Sequence, residues 1–198
     1  MIWEPFLLNP DMADEGEPIL DHLTKKYGPS ARGRFEDPDS HLMRAGRAVG
    51  IEFTNDRNAY PTIRAHALME RVKEDDNDKA NALMEEMYKS YFVSGGNIND
   101  EGTLAELAAK VGVDRDAAVE AMSSAELRRR VVQKDREYKT KARVSGVPYY
   151  IIEKKGGGGG GKGRPAAAFS GAQPPDLIAE FLEEAAAEPT GAANEGGS

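Results

Sequence analysis

The order of strand-like and helix-like patterns constrains this chain more than any single motif. Residues 2–10 form a short apolar segment that predicts a strand, and residues 18–142 then follow helical periodicity almost throughout. Residues 149–152 are aromatic and β-branched, which is typical of a buried strand. Residues 166–172 predict a weaker strand and residues 176–188 an amphipathic helix. The order is therefore a strand, a long helical block, two further strands and a helix, which indicates a chain of mixed α/β structure.

Composition excludes several classes of protein. The net charge of -8 and the pI near 5.0 argue against a nucleic-acid binder, which should carry a basic face. No apolar run approaches the length of a membrane span. The chain has no cysteine, so disulfides, thiolate chemistry and cysteine-ligated zinc are excluded for these 198 residues. We therefore expect neither nucleic-acid nor membrane partners.

The three histidines do not suggest a metal site. His22, His41 and His66 lie far apart, and no metal-binding spacing joins them. We expect each to lie on a helix surface or at the edge of a core. No metal ligand and no cofactor are predicted.

The helical block supplies the predicted hydrophobic core. Its apolar side chains recur at helical spacing, and glycines follow several of the predicted helix ends. Asp114 is predicted to cap a short helix after Gly112. The side chains that we expect this block to bury are Leu23, Leu42, Leu68, Leu83, Met87, Tyr91 and Leu107.

A glycine-rich stretch, residues 156–165, separates the two late strands. Gly156, Gly161 and Lys162 match the first part of a phosphate-binding loop, but Gly163 replaces the hydroxyl that would bind Mg²⁺. We therefore interpret the stretch as a mobile hairpin loop that binds no nucleotide. Residues 189–198 are predicted to be a flexible tail.

Four stretches carry a resemblance to a known family. "VSGVPYYII" and "FSGAQPPDLIAEFLEEA" resemble the C-terminal half of DsbA-like thioredoxin-fold proteins, specifically the FrnE-type branch. "IWEPFLLNPDMADEG" and "TIRAHALMERV" resemble the same family's strand, turn and inserted helix. Isomerases of 2-hydroxychromene-2-carboxylate and kappa-class glutathione transferases are related to it. The resemblance implies a thioredoxin-like portion from residues 1–10 and 124–188, and an inserted helical domain over residues 11–123.

The resemblance also implies a binding site. In thioredoxin-fold proteins, the proline that matches Pro148 is cis, and the backbone before it faces the active-site groove. An extended peptide, or a glutathione-like thiol, can pair there as an added strand. The substrate-binding residues implied are Gly146, Val147, Pro148 and Gln173.

The redox centre of the family has no counterpart here. It is a Cys-x-x-Cys at the start of the first helix, which in relatives precedes the segment matching residues 2–10. The sheet is therefore expected to be incomplete at the N-terminus, and no catalytic residue is predicted. We consider three explanations: an N-terminally truncated sequence, a fragment completed by another chain, and a degenerate relative that kept only a binding groove. The first is favoured because the cut falls within an element.

Three hypotheses for the function remain open, and whether the chain is an enzyme is left undecided. It could be a protein-disulfide oxidoreductase that is inactive in the form given, a glutathione-dependent transferase or isomerase of the kappa type, or a non-catalytic binding module. "SGAQPP" favours the oxidoreductase branch. A cytoplasmic location is expected, and the oligomeric state is not predicted.

Overall fold

The computed structural model describes residues 1–153 and 167–186. The chain divides into two compact units, Met1–Lys141 and Ala142–Ser198. The glycine-rich loop at 156–165 and the tail at 189–198 lie outside the described residues. In the part of the chain that is described, no helix is both long and apolar enough to cross a membrane.

The regular secondary structure of the first unit is almost entirely helical. A two-residue antiparallel ladder joins β1 (Glu17–Pro18) to β2 (Asn58–Ala59). A π-helical turn, Lys89–Val93, follows directly on the fifth helix. The helices are α1 (Ile19–Tyr27), α2 (Pro29–Glu36), α3 (His41–Ala48), α4 (Ile63–Asp75), α5 (Asn77–Tyr88), α6 (Glu101–Lys110), α7 (Arg115–Ser123) and α8 (Ala125–Thr140).

Side-chain caps explain where five of these helices begin. The capping side chain accepts a hydrogen bond from a backbone N–H in the first turn, and the caps are Ser40 for α3, Asp76 for α5, Asp100 for α6, Asp114 for α7 and Ser124 for α8. Such a cap satisfies an N–H group that has no partner within the helix. The cap predicted at Asp114 is confirmed.

The core of the first unit lies mainly among α4, α5, α6 and α7. Its side chains are apolar, and the fully buried ones include Leu68, Leu83 and Leu104. Burial of Leu68, Leu83, Met87 and Leu107 was predicted from the sequence and is confirmed. Leu23 and Tyr91 are only half-buried.

The predicted burial of Leu42 is wrong. Helix α3 forms as expected, but Leu42 is 50% exposed and Val49, just after the helix, is 72% exposed. Helical spacing shows that α3 has an apolar side, because side chains three and four residues apart share a face. The spacing does not show whether another element covers that side.

The predicted strand over residues 2–10 is also wrong. Residues 1–9 contain no regular secondary structure, and no strand in the described residues pairs with them. Instead, the N–H of Leu7 donates to Asp135 Oδ1 on α8 at 2.7 Å. Residues that favour strands form one only when a neighbouring strand accepts and donates the main-chain hydrogen bonds of a ladder. Here the side chain of Asp135, on a helix, accepts the main-chain hydrogen bond of Leu7 instead.

The second unit contains a β-hairpin and a helix. Strand β3 (Tyr149–Ile152) pairs antiparallel with β4 (Ala167–Ser170), and α9 (Pro175–Ala186) follows. All three elements were predicted from the sequence; β4 ends at Ser170, two residues before the predicted end, and α9 begins one residue before the predicted start. Leu182, predicted to face a core, is 52% exposed.

Candidate functional site

The predicted binding residues lie at one end of the β3–β4 hairpin. The register pairs Tyr149 with Ser170, and beyond this pair Gly171 donates its N–H to the carbonyl of Pro148 at 2.8 Å. Gly171 has φ +78°, a left-handed conformation that favours glycine. The hairpin ladder therefore reaches Pro148 and fixes the backbone at the start of β3.

Residues 146 to 148 form an accessible corner before β3. The Val147–Pro148 peptide bond is cis, and Val147 is 47% exposed. Pro148 is exposed as well, whereas Gly146 is half-buried. A Cβ atom added at Gly146 would meet no atom within 4 Å, so the space beside this backbone is open. Another polypeptide backbone could approach this corner closely.

Gln173 lies at the same end of the hairpin because it follows β4. Its side-chain amide donates to the carbonyl of Ser170 at 2.9 Å. This bond holds Gln173 against the end of its own strand, so one of its two N–H donors is already used. Gln173 therefore contributes to the shape of this corner through the irregular segment between β4 and α9.

Three stacked aromatic rings connect the hairpin to the helix that follows it. The ring of Phe169 stacks between Tyr150 and Phe181, with centroids 4.8 Å and 4.7 Å apart. These three rings join β3, β4 and α9. Stacked aromatic pairs add stabilisation beyond the apolar area that they bury. The corner at residues 146–148 is thus built on a supported strand.

The chain supplies no group for disulfide chemistry. It has no cysteine, and exchange requires a thiolate. Among the described residues, no group of three acidic or histidine side chains could hold a metal ion. His22, His41 and His66 lie on α1, α3 and α4, as expected for surface or core-edge histidines. The features on which a site at this corner can be argued are its exposure and its open backbone.

A cleft of about 540 Å³ lies elsewhere, in the first unit. Residues 8–13 together with Gly16 and Glu17 line it, and none of the predicted binding residues does. Of the two carboxylates in its lining, Asp11 and Glu17, the second already pairs with His22 and Lys25. The cleft therefore does not compete with the corner as a candidate site.

The family model for DSBA-like thioredoxin domains matches residues 1–183. The chain belongs to this family. A DsbA-like fold with a helical insertion, the class predicted from the sequence, is thereby confirmed. The corner at Pro148 lies within "VSGVPYYII", one of the four stretches that carried the resemblance. A search of curated proteins finds no match.

Two solved structures resemble this DsbA-like chain. A probable DsbA oxidoreductase from Streptomyces coelicolor is 26% identical, with a TM-score of 0.72 over 91% of this chain and 72% of that chain. A candidate protein disulfide isomerase from Nitrosomonas europaea is 15% identical, with a TM-score of 0.62 over 84% of this chain and 87% of that chain. The second likeness bears on the fold alone.

Sequence reasoning missed two buried carboxylates in the first unit. Glu70 on α4 is 2% exposed and Asp135 on α8 is 7% exposed. Glu70 directly follows Leu68 and Met69, which are both buried, so its place in an apolar run was a usable signal. Asp135 lies in a charged helix and gave no such signal.

Proposed function

We propose that this chain is a DsbA-like protein of the FrnE type that binds an extended polypeptide beside Val147 and Pro148. Its 198 residues do not by themselves exchange disulfides. The observation that carries the proposal is the exposed, open backbone at residues 146–148, held at the end of a hairpin. In this mode, main-chain hydrogen bonds supply affinity and side-chain contacts supply selectivity.

Under this proposal the 198 residues bind a polypeptide but do not catalyse disulfide exchange. The family's chemistry requires a cysteine thiolate, and no other side chain undergoes thiol–disulfide exchange. We therefore expect no insulin-reductase and no thiol-oxidase activity from these 198 residues. Measurable activity of the purified chain in either assay would contradict this part of the proposal.

Binding is tested by filling the open space beside the corner. Gly146→Leu places a side chain where no atom lies within 4 Å, and its backbone does not need the left-handed conformation. The fold should tolerate the change, whereas an incoming chain should be blocked. We expect the affinity for a synthetic extended peptide with S-methylated cysteine to fall about tenfold or more, which corresponds to roughly 1.4 kcal/mol.

Gly33→Leu is the matched control. Gly33 lies on α2 in the other unit and also has no atom within 4 Å of an added Cβ. Titration followed by amide chemical shifts should show the same peptide affinity for this control and for the parent chain. Equal affinities for both leucine variants, or shifts confined to residues outside the hairpin, would contradict the proposal.

A separate arm of the experiment uses S-methyl glutathione. Binding of this tripeptide at residues 146–148, with no binding of the longer peptide, would favour the glutathione-dependent alternative. Binding of neither ligand would argue against a groove at this corner.

Two further predictions remain part of this proposal. One is the cytoplasmic location. The other is the division into a thioredoxin-like portion, residues 1–10 with 124–188, and an inserted helical domain, residues 11–123.

A further inference from the structure

The corner at residues 146–148 is tied to the second strand of the hairpin by Gly171. This residue directly follows β4 and donates its N–H to the carbonyl of Pro148 at 2.8 Å, which continues the register of Tyr149 opposite Ser170. A bonded pair in an antiparallel ladder normally exchanges two hydrogen bonds, but Pro148 has no N–H to donate. Among the described residues, no other hydrogen bond involves residues 146–148, so this single bond attaches the corner to β4.

The backbone of Gly171 lies in the left-handed region, with φ +78°. A side chain at this position would be strained, because a residue with a Cβ atom adopts the left-handed region only at a cost in free energy. It would not be blocked, since a Cβ atom added at Gly171 meets no atom within 4 Å. Strain and steric clash are therefore separable here, and a small substitution tests the backbone conformation alone.

The chain is held on both sides of Gly171. Ser170 is the last residue of β4, and further along the chain the ring of Phe181 on α9 stacks on Phe169 at 4.7 Å. A residue that relaxes to a negative φ at position 171 would redirect the chain between these two anchors. The short segment between them must then move, and with it the N–H group that reaches Pro148.

We propose that Gly171 is a positioning residue for the polypeptide site, and that its left-handed backbone keeps Pro148 and the preceding Val147 in the conformation that the ligand binds. This role rests on the proposed function, because it concerns the same site. Val147 is 47% exposed and is joined directly to Pro148, so movement of the Pro148 backbone also moves Val147. A site that is already ordered loses less conformational entropy on binding, and the bond from Gly171 supplies that order.

Gly171→Ala is the first test of this role. The alanine strains the backbone at position 171, but its methyl group leaves the space beside residues 146–148 open. The affinity of the full chain for the synthetic extended peptide with S-methylated cysteine should fall about fivefold or more. An affinity equal to that of the parent chain would overturn the proposal.

Gly50→Ala is the matched control. Gly50 follows α3 in the first unit, has the same φ of +78°, and also has no atom within 4 Å of an added Cβ. It therefore carries the same backbone strain at a place that holds none of the proposed binding residues. Its peptide affinity should equal that of the parent, and a loss as large as that of Gly171→Ala would overturn the proposal.

An alanine of opposite handedness separates backbone strain from the added methyl group. D-Ala favours positive φ, just as L-Ala favours negative φ. A synthetic peptide of residues 168–198 can be ligated to residues 1–167 through a temporary cysteine at position 168, which desulfurisation converts to the native Ala168, and the chain has no other cysteine to react. The refolded Gly171→D-Ala chain should bind as tightly as a ligated parent. Equal losses with L-Ala and D-Ala would overturn the proposal.

Amide hydrogen exchange distinguishes positioning of the corner from support of the whole hairpin. Bonded and non-bonded pairs alternate along the ladder, so Tyr150 with Phe169 is the next bonded pair after Pro148 with Gly171. In Gly171→Ala, the amide at position 171 should exchange about fivefold faster, whereas that of Phe169 should change less than about twofold. Equal acceleration at both amides would overturn the positioning role.

The same experiments tell a failure of this role from a failure of the proposed function. If the parent chain binds the peptide and all variants bind it equally well, the positioning role is wrong and the proposed function stands. If the parent chain does not bind the peptide, the proposed function is wrong and the role of Gly171 falls with it.

Discussion

The two units differ in how much apolar surface they bury. The first unit has a continuous core of buried residues contributed by α4 to α8, with Leu68, Leu83 and Leu104 fully enclosed. Among the described residues of the second unit, only Val144 and Ala185 are buried apolar side chains. The candidate binding corner therefore lies on the unit whose described residues bury few apolar side chains, whereas the described residues of the helical unit bury many.

This difference fits a general division between scaffold and site. Regions with few buried contacts open locally at a lower free energy than the core does. Binding segments are commonly drawn from such regions, because they must adapt to a partner. The hairpin depends on its ladder and on the stacked rings of Tyr150, Phe169 and Phe181 rather than on a closed core.

The largest expected effect is in the helical unit. Leu68→Ala removes a side chain that is 0% exposed and leaves a cavity in the core, so the free energy of unfolding should fall by about 2–5 kcal/mol. Urea denaturation followed by circular dichroism measures this loss. Leu182→Ala is the control, since Leu182 is 52% exposed and its replacement should cost no more than about 0.5 kcal/mol. Similar losses in both variants would remove the contrast between the units.

A smaller and local effect is expected in the hairpin. Phe169→Ala interrupts the stack of three rings and should destabilise β3 and β4 by about 1–3 kcal/mol, because Phe169 is only half-buried. Hydrogen exchange should become about tenfold faster, or more, at the amides of the hairpin and stay unchanged in α4. Phe169→Leu keeps apolar bulk without stacking and should lie between the parent and the alanine variant. Faster exchange throughout α4 would show that the two units open together.

The smallest effect is expected from the glycine-rich loop, which lies outside the described residues. Removing most of residues 156–163 should change the unfolding free energy by less than about 1 kcal/mol, since closure entropy varies only with the logarithm of loop length. A thermal melt compares the shortened chain with the parent. Failure of the shortened chain to fold, or saturable ATP binding by the parent, would contradict the interpretation of this stretch as a loop.

Local patterns in the sequence were enough to predict much of the fold. Helices α4 to α8 follow from apolar spacing, and the cap at Asp114 follows from its side chain and position. Strand β3 follows from four consecutive aromatic and β-branched residues at 149–152. Each of these features depends mainly on residues close in sequence, and their spacing is visible without any knowledge of tertiary contacts.

Features that depend on distant partners could not be predicted. The exposure of Leu42 depends on whether another element covers α3, and the backbone at Leu7 depends on an aspartate 128 residues away. The ion pair of the buried Glu70 with Lys134 likewise joins residues that are far apart in the sequence, on α4 and α8. At the candidate site, the position of the corner came from a family resemblance, whereas the contact of Gln173 with Ser170 required the structure.

The main-chain attachment of residues 1–8 to α8 makes this stretch a practical site for chemical labelling. Asp135 and Lys139 hold the N–H and carbonyl of Leu7, while the neighbouring side chains of Ile2 and Leu8 are 70% and 56% exposed. Because the chain contains no cysteine, a single Ile2→Cys or Leu8→Cys would give one unique thiol. A maleimide dye attached there would leave the anchoring backbone bonds in place and turn the segment into a site-specific optical probe.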